Sequence, residues 1–102
     1  MIIGTPKEVK ENETRVAMTP NWAKRLAAAG HEVWVQKSAG ENSGFSDSDY
    51  IEVGANMADT AEEIFDKAEF ITKVKELQPQ EYKLIKEDQM IMTWFHLAED
   101  YD

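Results

Sequence analysis

Short apolar runs alternate along the chain with stretches whose apolar residues recur at helical spacing, and glycine, proline and capping residues mark the changes between them. Met1 to Gly4 is an apolar run that predicts a strand, followed by a polar loop rich in Lys and Glu up to Arg15. Thr19 before Pro20 sets a capping hydroxyl beside a proline at a first helical position. Trp22, Leu26 and Ala27 then carry the helical period to a stop at Gly30. Val33, Trp34 and Val35 combine β-branched and aromatic character and predict a second strand, closed by the loop SAGENSG. A short helix is expected over Asp47 to Val53, ended by Gly54, and Thr60 with Glu63 has the spacing of a capping box opening a helix through Lys67. Phe70 to Val74 predicts a strand. A helical stretch after Pro79 carries Tyr82, Leu84 and Ile85, and Met90 to Phe95 is expected to be a last strand buried on both faces.

Strands joined by helices predict an α/β fold: an open, mainly parallel sheet with flanking helices, of flavodoxin-like or Rossmann-like type. The expected core is the stripe of Trp22 and Leu26 with Ile64, Phe65 and Ala68, and Met90 and Met92 are expected to fill the last strand. At 102 residues the chain can bury one core, so residues 1–102 are expected to be a single domain segment.

Charge and composition narrow the partners. Twenty acidic against eleven basic side chains give a formal charge of -9, which disfavours nucleic acid and anionic membrane surfaces. With no cysteine, disulfides and thiolate zinc sites are excluded and a cytoplasmic location fits best. Charges follow the first three apolar residues closely, so neither a secretion leader nor a membrane span is expected there.

Open parallel sheets bind ligands beyond the carboxyl ends of their strands. Arg15, Lys75 and His96 each follow a predicted strand, and the reading expects them to converge on one crevice. A guanidinium fork matches a carboxylate, an ammonium suits a carbonyl or carboxylate oxygen, and an imidazole exchanges a proton near neutral pH. Together they describe a site for a 2-oxo or 2-amino acid. Each also has a plainer account: Arg15 as a solvated loop charge, Lys75 as a surface cation, His96 as a buried imidazole with its hydrogen bonds satisfied. His31, beside Gly30, reads as meeting the carboxyl end of a helix. The five glycines form neither a GxGxxG fingerprint nor a Walker loop, and two histidines 65 positions apart make poor metal ligands, so no nucleotide cradle and no metal are expected.

Four blocks, IIGTPKEVKENETRVAMTP, AAAGHEVWVQKSAGENSGFSDSDY, ITKVKE and TWFHLA, lie in an order and spacing that closely resemble the N-terminal domain shared by alanine dehydrogenases and nicotinamide nucleotide transhydrogenases. Transhydrogenase alpha subunits keep the arginine but carry a KVNAP-like sequence in place of KVKE and lack the histidine, so Lys75 and His96 favour the alanine dehydrogenase branch. Saccharopine and carboxyethylornithine dehydrogenases are nearer competitors. The resemblance implies that Arg15 pairs with the substrate carboxylate, that Lys75 binds the substrate and polarises its carbonyl or imine, and that His96 acts as general acid or base. It implies reversible oxidation of L-alanine to pyruvate and ammonia with NAD. The NAD-binding domain and a catalytic Asp of such enzymes are expected beyond residue 102, so this chain alone is expected neither to bind NAD nor to turn over. An incomplete sheet is expected to self-associate, and a stand-alone or excised non-catalytic module is the alternative.

Overall fold

Five strands, all parallel, make up the sheet that the apolar runs imply, in the order β3-β2-β1-β4-β5. They are β1 (Ile2–Thr5), β2 (Glu32–Gln36), β3 (Asn56–Ala58), β4 (Phe70–Lys73) and β5 (Met90–Thr93), joined by helices α1 (Pro20–Ala28), α2 (Asp47–Glu52) and α3 (Ala61–Lys67). A computed structural model describes residues 1–9, 15–75 and 77–93. β1 is central, with Ile3 opposite Val33 of β2 and Phe70 of β4. The α/β class and the flanking helices expected from the sequence are thus present.

Local chemistry explains the element ends. Thr19 accepts a hydrogen bond from the Trp22 amide and Pro20 occupies the first turn of α1, so the predicted start is correct. Gly30, at φ 95°, lets the chain turn back: its N–H donates to the Ala27 carbonyl and that of His31 to the Leu26 carbonyl. This pair of bonds is a Schellman closure, so His31 serves the helix end through its backbone, and its buried Nδ1 has no hydrogen-bond partner among the described residues. At α3, Thr60 accepts from the Glu63 amide, but the Glu63 carboxylate reaches the Asp59 amide instead of completing the box on Thr60. Reciprocal boxes lie instead on Ser46 and Asp49 at the start of α2 and on Gln78 and Glu81 after β4.

Alternating residues put Ile3, Val33 and Val35 on the sheet face covered by α1 and α2, together with Met18, Ala23 and Tyr50. Ile64, Phe65, Ala68 and Ile71 form the core on the other face. Gly4 is why α3 approaches so closely, since a Cβ there would stand 2.9 Å from both Ala68 Cβ and Ile64 Cγ2.

Several expectations need correction. Trp22 is 55% exposed and lies beside the Arg25 guanidinium, while the smaller Ala23 takes the buried position on α1. Met90 to Phe95 is not a strand buried on both faces: β5 is the sheet edge, Met90 is 48% exposed, Ile91, Met92 and Thr93 are half-buried, and residues from 94 on lie outside the described ones. An edge strand has one ladder and only partial cover, which a continuous apolar run does not reveal. The stretch after Pro79 winds as a 3-10 helix over Pro79–Leu84, and the short β3 was not anticipated because Asn-Met-Ala has little strand propensity and owes its form to pairing with β2.

Candidate functional site at the carboxyl edge of the sheet

The carboxyl ends of β1 and β4 lie side by side, and the Thr5 and Thr72 hydroxyls bind each other at 2.7 Å in the interior between them. From this edge leave the two connections that carry Arg15 and Lys75. Lys75 stands two residues past the end of β4 and is half-buried. Arg15 is exposed and lies on the segment that leads into the first turn of α1. Three residues beyond Arg15, the Met18 carbonyl accepts a 2.6 Å hydrogen bond from the Tyr50 hydroxyl, which ties this segment to α2. Burial, and then the negative charges of Asp47 and Asp49, push the Tyr50 phenol up to about 12. His96 lies outside the described residues; Arg15 and Lys75 follow β1 and β4, whose carboxyl ends are neighbours, Lys75 two residues past its strand and Arg15 ten.

An ion cluster beneath this edge was not anticipated. Lys73 follows Ile71 by two residues, so alternation turns its side chain to the α3 face, where it is 0% exposed. Its ammonium lies 3.2 Å from Glu8 Oε1 and 3.0 Å from Glu81 Oε2, both carboxylates being almost entirely buried. Two carboxylates against one ammonium leave an excess negative charge, and backbone donors offset it. The Val74 N–H donates to Glu8 Oε2 at 2.9 Å, that of Lys75 to Glu8 Oε1 at 3.3 Å, and that of Gln78 to Glu81 Oε1 at 2.9 Å. A signal was available in the sequence: a lysine at an inward position of a strand must meet an acid.

The residues present do not suit a dinucleotide. Such a cradle needs glycines where the first strand turns into its helix, so that backbone can approach a pyrophosphate; residues 6–19 between β1 and α1 contain none. Nor do the described residues hold any group of three or more His, Asp or Glu placed to hold a metal ion, or any helix long and apolar enough to cross a membrane.

Residues 4–102 match the family described as "Alanine dehydrogenase/PNT, N-terminal domain". The chain belongs to this family. Its curated relatives include the alanine dehydrogenases of Methanococcus maripaludis, 48% identical over 98 residues, and of Bacillus subtilis, 43% identical over 98 residues. In both cases the match covers 96% of this chain and 26% of the relative, so the chain spans about a quarter of the length of these proteins and corresponds to their N-terminal domain. Among solved structures, an L-alanine dehydrogenase superposes with a TM-score of 0.85 at 38% identity, over 97% of this chain and 27% of that one. The transhydrogenase from Sinorhizobium meliloti gives 0.83 at 31% identity, over 89% and 27%. Alanine dehydrogenase is thus the better supported branch of the family, and the all-parallel sheet is its fold.

Proposed function

We propose that this chain is the substrate-binding part of an NAD-dependent L-alanine dehydrogenase, in which L-alanine, NAD⁺ and water give pyruvate, ammonia, NADH and a proton. The observation that supports this best is the common origin of the Arg15 and Lys75 connections at one carboxyl edge, in a chain nearly half identical to an alanine dehydrogenase. In this reading the Arg15 guanidinium holds the carboxylate of a 2-oxo or 2-amino acid as a fork, and the Lys75 ammonium draws electron density from its carbonyl or imine. His96 gives a proton to the substrate oxygen, or takes one from it. In a complete enzyme NAD would supply the hydride acceptor, and residues 1–102 would supply the substrate contacts. The protein is proposed to work in the cytoplasm.

The test is a titration of the purified chain with pyruvate, followed by the resonances of the Lys75 and His96 side chains. Saturable shifts are expected, with Arg15→Ala weakening the affinity about tenfold or more, the worth of one charge-assisted contact. No NADH should form from alanine and NAD, because hydride transfer needs both reactants held together. A wild-type chain without saturable shifts, or one that turns over, overturns the reading.

We further propose that the chain self-associates. Among the described residues the α1 face of the sheet is open over β4 and β5, leaving a hollow of about 540 Å³ lined by Ile3, Trp22, Leu26, Phe70 and Met92 among others.

A further inference from the structure

The segment that carries Lys75 is staked at both ends. At one end Glu8, from the connection after β1, receives the amides of Val74 and Lys75; at the other Glu81 receives that of Gln78. Lys73 joins the two carboxylates from beneath. The arrangement does more than neutralise a buried lysine, because a carboxylate could do that without reaching the amide of the residue proposed to meet the substrate. Glu8 lies three residues past β1, so one side chain ties the Lys75 segment to the start of the connection that follows the central strand.

We propose that Glu8 is a positioning residue for the substrate site, one that fixes the Cα of Lys75, and thereby the reach of its ammonium, against the carboxyl end of β1. This rests on the reading of Lys75 as a substrate contact. Glu81 supplies the contrast: it shares the Lys73 ion pair and yet touches neither the Val74 nor the Lys75 amide. A purely structural cluster makes the two glutamates equivalent; a positioning role does not.

The experiment compares wild type, Glu8→Gln, Glu81→Gln and Lys75→Ala by pyruvate titration, with amide proton shifts of Val74 and Lys75 and urea midpoints recorded on the same samples. Glu8→Gln is expected to move both amide resonances upfield and to weaken pyruvate about tenfold, since small misplacements of a contacting group carry losses of that order or more. Glu81→Gln should lose a similar amount of stability and keep the affinity within about twofold, because it leaves the bonds from the Val74 and Lys75 amides to Glu8 in place. If Glu8→Gln does not fold, Glu8→Asp, which keeps a charge near Lys73 on a shorter arm, is read in the same way. Wild-type affinity in the Glu8 variant, or equal losses of affinity in Glu8→Gln and Glu81→Gln, overturns the positioning role while leaving the substrate reading intact. A wild-type chain that does not respond to pyruvate, or a Lys75→Ala chain that binds as well as wild type, overturns both.

Discussion

At the scale of single residues, Tyr50 shows how one buried group fixes a pH response. Burial and the neighbouring Asp47 and Asp49 favour its neutral form, so its folded value of about 12 exceeds the ordinary value of 10. Its contribution is therefore complete below pH 10 and is lost as pH rises from 10 through 12, because the unfolded chain releases the proton first. The loss is on the order of 2–3 kcal/mol over that window. Urea midpoints at pH 9 and pH 11 should fall apart more for wild type than for Tyr50→Phe; equal falls in the two chains would rule out this assignment. The strands that precede Arg15 and Lys75 were legible as apolar runs, and the topology sets the carboxyl ends of those two strands side by side. Glu8 and Lys73 were missed: the inward position of Lys73 called for an acid, but an ion pair spanning 65 positions gives no local sign of which acid it is. Trp22 misled for a related reason: helical spacing gives a face, but whether that face is covered depends on neighbours the period does not name.

At the scale of elements, close packing of α3 on β1 depends on the missing side chain at position 4. The two contacts at 2.9 Å are with the Ala68 and Ile64 side chains, so the helix as a whole has to shift to admit a methyl group. Gly4→Ala restricts the unfolded chain, which favours folding by less than about 1 kcal/mol. Overpacking opposes it by about 1–3 kcal/mol and should win. A lowered urea midpoint with an unchanged slope is the expected result; a midpoint equal to wild type would mean that the helix yields freely. Helices and central strands were readable because caps, glycine stops and β-branched runs are local. The edges, β3 and β5, were misjudged or missed because a strand at an edge is made by its partner and by what covers it.

At the scale of the whole molecule, the two faces of the sheet are unequally clothed. Among the described residues α3 and the 3-10 helix serve one side, with Leu84 and Ile85 against its core, whereas on the other side α1 leaves the hollow over β4 and β5 open. An apolar surface of this kind lowers its free energy by meeting another, and the formal charge of -9 opposes close approach of two copies. Sedimentation equilibrium should accordingly show association that strengthens with added salt, which screens the repulsion. A monomer at every concentration and ionic strength would remove the case for self-association. The position of β1 has a further consequence, for the order of events during synthesis. The middle strand β1 is made before either strand that flanks it: one neighbour arrives some thirty residues later, and the other only once Phe70 to Lys73 has been translated. Until then the nascent chain carries a ribbon with one bare flank, so its final closure waits on distant pairings and is expected to be slow, a period in which a chaperone has something to hold.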